Sequence, residues 1–184
     1  MSTEPGIVDK ILALHAALDA ARLSHAFGGA LALAWCTERA RGTIDIDVNV
    51  FVEQARAGEV FDALPVEVAR SDADLARCRS DGQVRLWWGH TPIDVFTNTT
   101  DFHVAAADRT VVHQFAASDV PFLGCSDVAV FKAFFNRTKD WADLEEMVAA
   151  GTLDGDLVLG ALVHYLGGDD ERVERLRSLL ITDR

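Results

Sequence analysis

Little in this chain points to covalent staples, a membrane or a nucleic-acid coat. Its three cysteines, Cys36, Cys78 and Cys125, are odd in number, far apart and form no Cys-x-x-Cys. That pattern supports neither a disulfide scaffold nor a zinc ribbon, and it predicts buried free thiols in a reducing compartment. Positive charge is scarce: 17 Lys and Arg stand against 29 Asp and Glu, for a formal net charge of -12. General DNA or RNA binding needs a cationic surface and is not expected here. One local basic patch is still open, and Arg22, Arg39 and Arg41 could supply it. No apolar run approaches the roughly 18 residues that a membrane span needs. The opening Met1-Ser-Thr-Glu-Pro-Gly6 has no basic, apolar leader, so a cytoplasmic location without a membrane partner is expected. The six histidines include no His-x-His and no i,i+4 pair on one helix. A dedicated zinc site is therefore not predicted, and His25 is expected at the surface. Ser126 lacks a Gly-x-Ser-x-Gly setting, which leaves serine nucleophilic catalysis unsupported.

Apolar material, by contrast, is ample. At 49% hydrophobic over 184 residues, the chain can build one core with a small helical appendage. Ile7, Ile11, Leu14 and Leu18 recur at helical spacing and predict a helix over 6–23. Phe27-Gly28-Gly29 interrupts it, and a more buried helix is expected over 30–38. A short helix over 53–64, a strand over 66–69 and a weak helix or loop over 72–78 follow. Strands over 83–88 and 91–97 are joined by Gly89-His90 as a hairpin. A short strand over 110–115 and a turn bounded by Pro121 and Gly124 complete this part. From Ser126, read as an N-cap, the pattern becomes helical over 127–136, 138–150, 156–166 and 169–180. The predicted fold class is α/β (α+β). A mixed sheet flanked by helices occupies 1–125, and a helical bundle occupies 126–184.

The most informative stretch is Thr43-Ile44-Asp45-Ile46-Asp47-Val48-Asn49-Val50, which alternates polar and apolar residues as a half-buried strand does. Ile44, Ile46, Val48 and Val50 would face a core, leaving Asp45, Asp47 and Asn49 on the opposite face. Two carboxylates side by side repel unless a proton, a base or a cation joins them. A divalent cation suits their hard oxygens, and Mg²⁺ is typically held by one or two carboxylates plus phosphates. A strand whose acidic face meets only water is the alternative. Two further features bear on the choice. Gly28-Gly29 lies between two predicted helices, where backbone can approach an anion closely. Asp94 sits between Ile93 and Val95, so it projects from the polar face of its strand. Three carboxylates from two strands would complete a two-metal site.

This order of helix, Gly-Gly, helix, Asp-x-Asp strand and later single Asp resembles the nucleotidyltransferase superfamily that includes DNA polymerase β. Phe27 to Ala34 followed by Arg41 to Asp47 looks closest to the AbiEii-like and MenT-like branch, many members of which are toxins of toxin–antitoxin pairs. The run from Asp127 through Lys132, Arg137, Lys139, Asp140 and Asp143 to Leu144 is similar to that branch's second signature. The resemblance implies transfer of NMP from an NTP to a hydroxyl on an RNA end, a protein or a small molecule. Mg²⁺ or Mn²⁺ would be the cofactor, and an antitoxin-like protein a possible partner. It assigns metal binding to Asp45, Asp47 and Asp94, and catalysis to these with Lys132. Gly28, Gly29, Arg41, Thr43, Lys132, Asp140 and Asp143 would hold the nucleotide. The chain departs from the wider superfamily in having Gly28-Gly29 where Gly-Ser is usual. A nucleotide-binding or regulatory protein without transfer activity is the rival reading. Lys139 with Asp143 could also be no more than a surface ion pair.

Overall fold

The computed structural model describes residues 4–39 and 42–182. Arg41 lies outside them. The chain divides into two compact units. The first takes in residues up to Leu31 together with Gly42–Leu123. The second combines the described part of Ala32–Arg41 with the chain from Gly124 onward. The division falls between Leu123 and Gly124, and the later part of the second helix joins the C-terminal unit.

The first unit is built on a seven-stranded mixed sheet. Its strands are β1 (His25–Phe27), β2 (Ile46–Glu53), β3 (Val68–Ala69), β4 (Gln83–Trp88), β5 (Thr91–Asn98), β6 (Val111–Phe115) and β7 (Ser118–Phe122). They lie in the order β3-β4-β5-β2-β1-β7-β6. β2 and β5 are central, parallel and in register, with Ile46 opposite Ile93 and Val48 opposite Val95. β4 returns antiparallel to β5, pairing Leu86 with Ile93 and Val84 with Val95. Register partners project to the same side, so these apolar residues form one buried face. The helices α1 (Ile7–Ala20), α3 (Ala57–Ala63) and α4 (Asp72–Asp81) pack against strands of this unit. In α1 the residues in contact with the core are Ile11, Leu14 and Leu18, as the spacing predicts.

Two polar devices fix this layer. Lys10 of α1 is buried, and its ammonium donates to the Trp88 carbonyl (3.0 Å), to Thr91 Oγ1 (2.7 Å) and to Glu4. It therefore ties α1 to both ends of the β4–β5 turn. α4 forms despite a polar sequence because Ser71 and Asp74 make a capping box, and Gly82, at φ 71°, closes the helix in the left-handed conformation.

Several expectations are corrected. β1 is a strand where none was predicted, and α5 (Asp101–Ala107) precedes β6. The supposed turn near Pro121 is strand β7; proline is tolerated because β7 pairs with β1 through a single register pair, Phe27 with Phe122. Ile44 is 82% exposed, because residues 44–45 bend and β2 begins only at Ile46.

The second unit is helical. α6 (Cys125–Phe135), α7 (Thr138–Ala149), α8 (Gly155–Leu166) and α9 (Glu171–Thr182) pack together around Val128, Ala133, Trp141, Leu144, Leu162 and Leu176. α2 (Gly29–Thr37) starts in the first unit and ends in the second. Ser126 is not the N-cap of α6, which is Gly124; its hydroxyl accepts from Asp154 N (2.8 Å) instead. The N-cap of α7 is Arg137. Cys36 and Cys125 are not free thiols but a disulfide within this unit. They are 89 residues apart in sequence, and such spacing carries no sequence signal. Cys78 is a buried free thiol as expected, and burial pushes its proton affinity up.

Candidate active site

The polar face of the central strands brings the expected carboxylates into one neighbourhood of the first unit. Asp47 and Asp94 are register partners on the parallel strands β2 and β5. Across β4, Arg85 is the register partner of Asp94. One row of the sheet therefore reads Arg85, Asp94, Asp47, and it continues to Gly28, whose N–H donates to the Asp47 carbonyl (2.9 Å). The next row reads Gln83, Phe96, Asn49, Ala26. Trp87, two residues beyond Arg85 on β4, is 48% exposed. Its neighbour Trp88 is in the core, so the pair straddles the strand.

The glycines are required by the geometry. A Cβ on Gly29 would stand 1.8 Å from Asp47 Oδ2, and Gly29 has φ +54°. Only glycine lets the backbone pass so close to a carboxylate in that conformation. A Cβ on Gly28 would stand 3.2 Å from Asn49 Nδ2, so Asn49 lies beneath the same turn. Helix α2 begins at Gly29, and its first N–H groups have no partners within the helix.

Asp45 sits in the bend before β2. The Thr43 hydroxyl lies 2.7 Å from Asp45 Oδ1 and 2.9 Å from the Asp45 carbonyl, and Asp45 N donates back to it at 3.3 Å. Thr43 thus fixes the bend that presents Asp45, a role in shaping the strand entry. Asp94 is gripped at both oxygens: Arg85 Nε donates to Oδ1 (2.7 Å) and Nη2 to Oδ2 (2.5 Å). The Asp94 contact, then its charge and those of Asp45 and Asp47, hold the Arg85 guanidinium proton well above its ordinary affinity, while partial burial opposes this. Asn49 is buried, and its Oδ1 has no hydrogen-bond partner among the described residues. A buried acceptor left unpaired costs about 1–3 kcal/mol, so a ligand that satisfies it would regain that energy.

The donor set of three carboxylates and one amide oxygen is hard, as a divalent cation such as Mg²⁺ or Mn²⁺ prefers. The orphaned Asn49 oxygen and the glycine cradle over Asp47 agree with a ligand there. Among the described residues no three acidic, His or Cys side chains are gathered closely enough to hold a metal ion as they stand.

Lys132, Asp140 and Asp143 come together in the second unit. Lys132 Nζ donates to Asp143 Oδ2 at 2.6 Å and lies 3.8 Å from Asp140 Oδ1. Asp140 also accepts from the Arg137 guanidinium and from Arg137 N. Asp143 is buried and its ion pair with Lys132 is a buried one. His25 is buried too, contrary to expectation. Its Nε2 is 2.9 Å from His15 Nδ1, and its Nδ1 is 2.8 Å from the Leu23 carbonyl. Sequence reading overlooked Arg85, although a two-residue hairpin at Gly89-His90 places it opposite Asp94. It placed Asn49 on the polar face without giving it a role.

Solved structures with the same architecture are found. ANT(2'')-Ia, described as an antibiotic-resistance factor, has a solution structure that aligns with TM-score 0.55 at 17% identity, over 95% of this chain and 91% of its own. The same protein in a crystal with adenylyl-2''-tobramycin aligns with TM-score 0.55 at 17% identity, over 95% and 97%. An antigenic nucleotidyltransferase-like protein from Paracoccidioides brasiliensis aligns with TM-score 0.52 at 12% identity, over 96% and 89%. The fold is that of the nucleotidyltransferases. No protein-family model and no curated protein sequence matches the chain. At these identities the nucleotidyltransferase likeness is one of fold.

Proposed function

We propose that this chain is a nucleotidyltransferase that moves NMP from an NTP to a hydroxyl acceptor and releases pyrophosphate. The observation that carries the reading is the row Asp94, Asp47, Gly28 with the Gly29 backbone pressed against the Asp47 carboxylate. It places acidic ligands beside a turn that opens a helix, and such a turn accepts phosphate. Asp45, Asp47 and Asp94 would hold Mg²⁺ or Mn²⁺, which supplies charge neutralisation on the entering and leaving oxygens. Gly29 and the start of α2 would offer N–H groups to the triphosphate, and Gly28, whose own N–H is taken by the Asp47 carbonyl, would let the chain approach it closely. The acceptor oxygen bonds to the α-phosphorus as the α–β anhydride bond breaks, and Asp94 orients the hydroxyl or receives its proton.

Net charge -12 favours a small neutral or cationic acceptor over RNA, a polyanion that needs compensating cations. The bound adenylyl-tobramycin of ANT(2'')-Ia supports a small acceptor on this fold. The resemblance of the two motifs to AbiEii-like and MenT-like proteins supports a toxin–antitoxin version, in which an antitoxin-like protein is the partner. A second reading, nucleotide binding without transfer, has one observation on its side: the Arg85 grip on Asp94.

The test is transfer of labelled α-phosphate from each of the four NTPs with Mg²⁺ or Mn²⁺, with RNA, the protein itself, aminoglycosides and small-molecule extracts as acceptors. Label that needs metal and is lost in Asp45→Asn/Asp47→Asn establishes the transferase and its acceptor class. Metal-dependent NTP binding without transfer favours the second reading. Neither transfer nor binding rules out both.

A further inference from the structure

Resting on that reading, we infer that Arg85 is a resident counter-ion that occupies Asp94 and makes metal binding there conditional on the nucleotide's charge. Arg85 and Asp94 face each other across the β4–β5 hairpin. The guanidinium engages both carboxylate oxygens, at 2.7 and 2.5 Å, a bidentate geometry that is among the stronger ion-pair arrangements. The Asp94 side chain is 18% exposed while that of Arg85 is 52% exposed, so the carboxylate is shielded and the arginine is free to swing into solvent. Asp45 and Asp47 also act on the guanidinium, so its charge serves the whole acidic cluster.

A bare divalent ion approaching Asp94 meets a positive group already seated on its ligand. It must displace the guanidinium or share the carboxylate with it, and either lowers its affinity. A metal ion that arrives with a triphosphate brings excess negative charge. The repulsion then disappears, and Arg85 can leave Asp94 without leaving the cluster uncompensated. Binding of metal and nucleotide is thereby coupled through one side chain. Arg85 acts here as a positioning residue.

The first measurement is Mn²⁺ affinity by electron paramagnetic resonance, in the wild-type chain, Arg85→Gln, Arg85→Lys, Asp94→Asn and the Arg85→Gln/Asp94→Asn pair. Arg85→Gln should bind Mn²⁺ about tenfold more tightly than wild type. Arg85→Lys, which keeps the charge and loses the fork, should fall between. The gain should vanish when Asp94 is also changed. A structural role for Arg85 would alter stability and leave metal affinity unmoved. The second measurement is calorimetric titration with preformed Mn²⁺–tripolyphosphate, which supplies the nucleotide's charge without its base. Wild type and Arg85→Gln should then bind alike, and a gap as large as for bare Mn²⁺ overturns the conditional coupling. An Arg85→Gln affinity for Mn²⁺ equal to or below wild type overturns the role of Arg85. The proposed function survives that result if Mn²⁺ binding is still lost in Asp45→Asn/Asp47→Asn. If no variant binds Mn²⁺, both readings fall.

Discussion

Single residues carry the strongest constraints on this site. Gly29 combines φ +54° with a Cβ position 1.8 Å from Asp47 Oδ2. Gly29→Ala must therefore move the carboxylate or the turn, and both lie at the start of α2. We expect a stability loss of about 1–2 kcal/mol by urea unfolding and loss of metal-dependent NTP binding. An alanine variant that unfolds and binds as wild type would show the close approach to be irrelevant. Asn49 predicts the opposite balance. Its buried, unpaired Oδ1 costs the folded chain energy that an apolar residue of similar size would not. Asn49→Leu should raise stability by up to about 1 kcal/mol while weakening metal–nucleotide binding. Gain of stability with unchanged binding would assign Asn49 to neither ligand nor metal. Asp47 and Asn49 were legible in sequence as one strand face because strand side chains alternate, whereas Asp45 lies in the bend before β2, outside that alternation. Arg85 was overlooked because arginine on an exposed strand face is ordinary until its cross-strand partner is known.

At the scale of elements, α1 and β1 meet through His15 and His25, and β1 leads directly into the glycine turn. Burial holds the proton affinity of His25 below its ordinary value near 6.5; the hydrogen bond to the Leu23 carbonyl opposes this, and the charges of His15 and Asp19 add smaller effects of opposite sign. The unfolded chain thus binds a proton that the folded chain resists. Stability from this group is complete above about pH 6.5 and is lost as pH falls toward the lowered folded value. His103, lowered by burial and partly restored by the Thr100 hydrogen bond, acts in the same direction. The melting temperature should fall between pH 7.5 and 5.5, and less so in His25→Gln. An equal fall in both would remove His25 from the account. The helical pair α6–α7 behaves differently, because Lys132 sits buried between Asp143 and Asp140. Lys132→Met removes the cation 2.6 Å from buried Asp143, while Asp140 keeps Arg137, and should cost about 3 kcal/mol in denaturant unfolding. The Lys132→Met/Asp143→Asn pair should recover part of that. Long apolar periodicities such as α1 were readable from sequence. β1 and β7 were not, because three to five residues give too few repeats to show a period, and their pairing depends on distant chain.

At the scale of the whole molecule, sequence reading found the mixed sheet and the helical C-terminal region. It missed the covalent organisation of the second unit, because contact between Cys36 and Cys125 exists only after α2 and α6 have packed. The disulfide closes a ring of chain that contains Gly42–Leu123, the larger part of the first unit. A cross-link removes conformational freedom from the unfolded chain, and for an 89-residue separation the chain-entropy model gives about 4–5 kcal/mol. Reduction, or Cys36→Ser, should therefore lower the denaturant midpoint with little change in the folded state's circular dichroism. Non-reducing alkylation followed by mass spectrometry should modify one cysteine after unfolding, Cys78, and all three only after a reductant is added. Three alkylated cysteines without reductant would return Cys36 and Cys125 to the free thiols that their sequence spacing predicts. The second unit would then be held without a covalent link, by the core around Trp141 and by polar contacts such as the Lys132 ion pairs.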